Sequence, residues 1–313
     1  MLSLLSRLVI SLIPLTLAAA HAQAEPPRVL ASINPLYSLA ANVMDGVGQP
    51  TLLLRTNVSP HTYTLRPSDA RTIERANLIF WIGPGYESFM AKAVSGLPRQ
   101  ARVVQMSKLA EIQLLPVREG GLWEVDADHG HDHGAAQEQG EQDMHLWLDP
   151  DNAKAIAKAM AASLAEADPA NADRYRANAD KFAAQLSKLD GELRTKLAPV
   201  AHRPYIVFHD AYHYLERRYE LTPAGSITVT PDRVPGPRRL SDLRRAIVDR
   251  NAACIFSEPQ FTSSLVATVA SGTRARIGVL DSLGTATGDG KAGYVTVMRG
   301  LANSLVTCLG EAG

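Results

Sequence analysis

Three histidines stand apart from the rest of the chain by what surrounds them. His61 follows Ser59-Pro60, His145 opens the run His145-Leu146-Trp147-Leu148-Asp149-Pro150, and His209 ends the apolar run Tyr205-Ile206-Val207-Phe208. An unperturbed imidazole titrates near about 6.5, so at neutral pH it offers a nitrogen lone pair to a borderline cation. Each of the three lies in a loop or at the carboxyl end of a strand-like run, the edge where open α/β sheets hold ligands. Taken singly, each also reads as an ordinary structural histidine. Asp281 ends the strand-like run Ile277 to Leu280, where a carboxylate could complete a cation site.

A second cluster differs in kind. The segment from Glu119 to Asp143 is rich in Gly, Asp, Glu, Gln and His, and it contains His129, His131 and His133. Such a composition cannot bury a core, so it reads as a surface loop. Its clustered imidazoles suit low-affinity capture of a soft or borderline cation; an inert, solvated loop is the plainer alternative. The triplet Gly288, Gly290 and Gly293 matches a dinucleotide fingerprint by letter. Only 20 residues follow it, which leaves no room for a ribose-binding acid, so it reads as a loop.

The start of the chain has the form of an export signal. Arg7 precedes an apolar run from Leu8 to Ala20, and Ala22-Gln23-Ala24 supplies a small-x-small cleavage site before Glu25. The run falls short of the roughly 20 residues that span a bilayer, so cleavage after Ala24 and export are expected, with a retained anchor as the alternative. In an oxidising compartment Cys254 and Cys308 pair by default. A metal or redox role for them finds no CxxC spacing to support it.

These residues need a scaffold, and the hydrophobic pattern sketches one. Short β-rich runs alternate with helical patterns, which reads as α/β, two lobes each with a small mostly parallel sheet. Strand candidates are 28–33, 50–54, 78–83 and 102–106 in the first half, and 205–209, 253–257 and 276–281 in the second. Helical patterns cover 36–44, 68–76, 86–94, 211–219, 242–251, 263–271 and 294–309. Between the halves Ala172, Tyr175, Ala179, Phe182, Leu186, Leu189, Leu193 and Leu197 recur at steps of three and four. With Asp168 as N-cap and Pro169 in its first turn, this predicts one rigid helix over 168–198. A helix of about 30 residues would be roughly 45 Å long and could join the lobes; a coiled-coil face is the alternative. The expected division is a signal peptide over 1–24, an N-terminal metal-binding lobe over 25–167, the linking helix, and a C-terminal lobe over 199–313.

Composition narrows the class further. The 313 residues carry 32 Lys+Arg and 32 Asp+Glu, and a net charge of zero argues against nucleic acid as a partner.

Four motifs in order then resemble one family. They are Ser59-Pro60-His61-Thr62-Tyr63 with Leu65-Arg66-Pro67-Ser68-Asp69, His145-Leu146-Trp147-Leu148-Asp149-Pro150, Val207-Phe208-His209-Asp210-Ala211-Tyr212, and Phe256-Ser257-Glu258-Pro259-Gln260. Together they look like the zinc-specific periplasmic substrate-binding proteins of ABC importers, within the zinc/manganese solute-binding class. The acidic His-rich segment between His61 and His145 is also typical of zinc members. The resemblance implies Zn2+ as cargo, His61, His145 and His209 as ligands, a Cys254–Cys308 disulfide, and an inner-membrane permease as partner of a monomer. Some zinc members place Glu just before the first ligand histidine, where this chain has Pro60. Asp281 matches the carboxylate ligand of relatives, so either Asp281 or water completes the tetrahedron. An exported zinc hydrolase is the competing function, because three histidines and an open position also make a catalytic site, with Glu258 or Asp281 as its base. An adhesin or extracellular scaffold fits the class without positive support.

Overall fold

A computed structural model describes residues 25–54, 58–96, 101–123, 141–228, 231, 235–262, 264–285 and 290–310. The export signal and His129, His131 and His133 lie outside the described residues. The N-terminal sheet is built from β1 (Val29–Ala31), β2 (Thr51–Leu52), β3 (Leu78–Trp81) and β4 (Arg102–Gln105) in the parallel order β2-β1-β3-β4. Helices α1 (Asn34–Val43), α2 (Pro67–Arg75) and α3 (Ser88–Gly96) belong to the same half. The inner strands β1 and β3 are buried throughout, because parallel sheets are covered on both faces. Alternation divides them: Val29, Ala31, Leu78 and Phe80 join one core, Leu30, Ile79 and Trp81 another.

The chain next forms a short antiparallel pair, β5 (Leu115–Pro116) with β6 (Gln142–Asp143), at the base of the acidic His-rich segment. Two long helices follow, α4 (Pro150–Ala167) and α5 (Ala172–Leu197). The sequence pattern misses α4. Asp168 does not open one continuous helix; its backbone N–H closes α4 onto the Leu164 carbonyl, and a single turn over Pro169–Asn171 precedes α5. Its carboxylate accepts from Asn171 Nδ2 and Tyr175 Oη, both at 2.8 Å, which fixes that corner. The expected stripe from Tyr175 to Leu197 is buried as written.

The second sheet contains β7 (Tyr205–His209), β8 (Pro223–Thr228), β9 (Cys254–Ser257) and β10 (Arg276–Val279), again parallel, in the order β10-β9-β7-β8. Its helices are α6 (His213–Arg218), α7 (Pro237–Asp249), α8 (Ser264–Ala270) and α9 (Gly293–Gly310). Tyr205, Val207, Cys254 and Phe256 point into the same core as the first lobe and α5, whereas Ile206, Phe208 and Ile255 point into a separate one. One apolar core therefore runs through both lobes. The last helix adds a second tie: Ser38 Oγ donates to the Lys291 carbonyl and accepts from Tyr294 N–H, and Asn34 Nδ2 donates to the Leu283 and Gly284 carbonyls. Cys254 and Cys308 form a disulfide, with their Cα atoms 6.2 Å apart, joining β9 to α9. Among the described residues no helix is long and apolar enough to cross a membrane.

Candidate metal centre

The carboxyl ends of the two sheets face one another, and each supplies side chains able to ligate a metal ion. His209 is the last residue of β7, and Glu258, one residue beyond β9, lies beside it because β9 neighbours β7. Glu258 Oε1 accepts from His209 Nδ1 at 2.6 Å and from its backbone N–H at 3.3 Å. His145 follows β6 and opens the turn Leu146–Leu148. Asp143 Oδ1 accepts from His145 Nδ1 at 2.7 Å and from its backbone N–H at 2.9 Å. The second lobe also holds that turn, since Trp147 Nε1 donates to the Ser282 carbonyl and Tyr294 Oη to the Trp147 carbonyl. His61 sits in the loop after β2, held by a 3.3 Å bond from its backbone N–H to Ser59 Oγ, and it has no carboxylate partner among the described residues.

The ligating atoms of His61, His145 and His209 lie within 4.8 Å of one another. His145 and His209 are buried and His61 half-buried, though His61 Nε2 itself is buried without a hydrogen-bond partner among the described residues. Both carboxylates take an Nδ1 proton, which assigns the lone pairs of His145 and His209 to Nε2. Those two nitrogens face each other at 3.3 Å. Two lone pairs so placed repel unless a proton or a cation comes between them. Tyr86 walls the cage, its ring edge-on to His61 at 4.8 Å and to His145 at 5.2 Å.

Electrostatics separates the histidines. Burial and the two neighbouring imidazoles hold His61 well below its ordinary range, so it is neutral and ready to coordinate. Burial also pulls His209 downward, but the charge and hydrogen bond of Glu258 outweigh it and raise His209 overall. Tyr86 is pushed well above its usual value by burial and by nearby carboxylates, which keeps it a neutral phenol.

Asp281 stands apart from the three imidazoles. Its Oδ1 accepts from Gln260 Nε2 (3.2 Å), Leu283 N–H (3.3 Å) and Gly284 N–H (2.9 Å), and Oδ2 accepts from Thr285 Oγ1 (2.9 Å). Sequence pattern assigns no role to Asp143 or Tyr86, and Glu258 enters there only as a base. The Asp143-x-His145 spacing was a usable signal, since a short carboxylate reaches a backbone N–H two residues on. A cleft of ≈ 450 Å³ borders the His61 loop, lined by Ser59, Thr62, Arg66, Pro231, Gln260 and Phe261.

Comparison with known proteins gives a consistent picture. The family model described as the periplasmic zinc-uptake complex component A matches residues 29–308. The chain is similar to the high-affinity zinc uptake system protein ZnuA of Brucella suis, 41% identical over 92% of this chain and 93% of that one. It is 36% identical to the Yersinia pestis protein of the same name, over 90% of this chain and 91% of that one. Among solved structures, its fold resembles a ZnuA (TM-score 0.77, 24% identity, 91% of this chain and 99% of that one). It also resembles the periplasmic zinc-binding protein TroA from Treponema pallidum (TM-score 0.74, 24% identity, 91% and 99%).

Proposed function

The chain belongs to the periplasmic zinc-uptake complex component A family, and we propose that it holds its cargo between His61, His145 and His209. Its function is high-affinity capture of Zn2+ in the periplasm for delivery to the permease of an ABC importer. One observation carries the ligand assignment: the 3.3 Å separation of His145 Nε2 and His209 Nε2. Zn–N bonds of about 2.0–2.1 Å place tetrahedral nitrogens roughly 3.3–3.4 Å apart, so two of the three ligands already stand at the spacing of a tetrahedral zinc site. Asp143 and Glu258 fix tautomer and ring orientation, and their two negative charges offset the two positive charges of the cargo. The fourth ligand is an oxygen. Because Asp281 is committed to its own turn, water supplies that oxygen in this conformation, and Asp281 reaches the metal only if the turn opens.

A hydrolase is disfavoured on the same observations. Glu258 and Asp281, the carboxylates that could serve as bases, are spent on His209 and on a turn. The chain acts as a monomer carrier, exported by cleavage after Ala24, with lobes over 25–167 and 199–313 joined across 168–198. His129, His131 and His133 add weaker zinc binding to that of the cage. Calorimetry against a competing chelator tests the assignment on the mature protein: one tight zinc per chain, lost in His145→Ala and His209→Ala and kept when 128–134 are deleted. Tight binding retained by either histidine variant overturns that ligand.

A further inference from the structure

The stem of the His-rich segment does more than close a loop. Val117 N–H donates to the Glu141 carbonyl at 2.9 Å, and the next residue, Arg118, sends its guanidinium across into the second lobe. There its Nε donates to both oxygens of Asp210, at 3.0 and 3.1 Å, with Nη2 on the same carboxylate. Its Nη1 lies 2.7 Å from Glu216 Oε2, and its face stacks on Trp123 with the central carbon 3.5 Å from the ring centre. The side chains of Arg118, Asp210 and Glu216 are only 15%, 9% and 3% exposed.

The two carboxylates bracket the strand that presents His209. Asp210 is the residue after His209. Glu216 Oε1 accepts from Tyr205 Oη at 3.0 Å, and Tyr205 begins β7. One guanidinium thus braces both ends of β7. The strap beyond it is fastened as well. Arg239, itself buried, donates to the Leu122 carbonyl at 2.7 Å, and a Cβ on Gly225 in β8 would fall 2.6 Å from Leu122 Cβ. Meanwhile the other arm of the stem carries Asp143, which orients His145.

We propose that Arg118 is a positioning residue for zinc retention: a latch by which the loop stem holds His209 of the second lobe at ligand distance from His145 of the first. The proposal rests on the ligand assignment above. Without the guanidinium, Asp210 and Glu216 are left facing one another unpaired in a buried setting, and they separate or recruit water. The end of β7 then loses its brace, and the imidazole pair loses its spacing. Because variants of one binding site differ mainly in dissociation rate, the effect is on escape of the ion.

Stopped-flow chelator competition on the zinc-loaded mature protein tests the latch, with Arg118→Gln, Arg118→Lys, Asp210→Asn and the Arg118→Gln/Asp210→Asn double variant. The latch predicts dissociation faster by at least ~10-fold in Arg118→Gln, with association altered less than ~2-fold. Arg118→Lys keeps the charge without the two-pronged fork and falls between wild type and Gln. The double variant is no faster than the worse single one, because both remove the same contact. An unaltered dissociation rate, additive rates in the double variant, or equal changes in both rate constants overturns the latch. If Arg118→Gln does not fold, Arg118→Lys and Trp123→Leu carry the test, and native dissociation rates in both overturn it. His145→Ala separates the two readings. Tight zinc lost there but unaltered in Arg118→Gln refutes the latch alone, whereas tight zinc kept there refutes the ligand assignment with it.

Discussion

His145 and His209 are each held by a buried carboxylate at Nδ1, whereas among the described residues His61 has none and its Nε2 has no hydrogen-bond partner. Each ring of the first pair is oriented by a carboxylate from its own lobe. The third ligand is placed by packing against Tyr86 and by one backbone contact to Ser59. A carrier has to bind tightly and later let go, and an asymmetric cage meets both needs. Two ligands stay in position to define the site, and the third, in a loop at the cleft, can swing away without leaving a buried carboxylate unpaired. On the proposed assignment, His61 is the ligand whose departure would start release.

The largest effects should separate these classes. His145→Ala and His209→Ala remove a ligand and strand Asp143 or Glu258, so zinc affinity should fall by well over ~100-fold, beyond the range seen for outer-shell losses. His61→Ala strands nothing and should lose less affinity than either while retaining native stability without zinc. Equal losses in all three, measured by chelator competition with thermal unfolding in parallel, would erase the distinction. Next come Asp143→Asn and Glu258→Gln, which leave every ligand in place but free the rings to turn or change tautomer. Each should weaken zinc by about 10–100-fold. Native affinity in both would mean that packing, not the carboxylates, orients His145 and His209.

Protons sharpen the same comparison. His209 is raised by Glu258, so in the zinc-free chain its protonated form is favoured. That contribution to stability is fully present below the ordinary imidazole value and is lost as pH rises through the raised folded value. Zinc needs the neutral ring, so the signs oppose: zinc affinity falls as pH drops. The fall begins above about 6.5 with the proton of His209. His61, held well below its ordinary range, takes up a proton only in more acid solution. Affinity titrated from pH 8 to 5 should decline first through His209, with Glu258→Gln moving that onset to lower pH. A flat profile, or an onset indifferent to Glu258→Gln, breaks this account.

The three histidines were legible because each lies in a loop or at one end of an apolar run, and the inner strands β1, β3, β7 and β9 because burial on two faces leaves continuous apolar runs. What escaped the sequence did so for physical reasons. Helix α4 is alanine-rich, with weak contrast between its faces, and its start at Asp149-Pro150 was absorbed into the motif around His145. Strand β8 begins with Pro223 and contains Gly225, both poor strand formers, and it survives because β7 supplies its ladder. Glu258 lies 49 residues from His209, so only the adjacency of β7 and β9 makes it a partner. Arg118 lies in a polar stretch whose composition suggested no buried role, yet it is one of the more deeply enclosed charges in the chain.

The smallest expected effect concerns Asp281, and it decides the fourth ligand. Asparagine fits the same turn: its Oδ1 can accept from Leu283 and Gly284 N–H as the carboxylate does, and its Nδ2 can donate to Thr285 Oγ1. Asp281→Asn therefore removes a negative charge with little change of shape, at a folding cost of about 1 kcal/mol. If water completes the zinc site, affinity should shift by less than ~3-fold, under about 0.7 kcal/mol. If the turn opens on loading and the carboxylate binds zinc, the same substitution should cost at least ~10-fold, because a neutral amide is a poorer ligand for the cation. His61→Ala in the Asp281→Asn background then asks whether His61 and Asp281 belong to one closing motion. Under the water reading, the two losses add, since the residues share no contact in the structure. A marked departure from additivity would place Asp281 in the closed cage and make its turn, with the His61 loop, part of the release step.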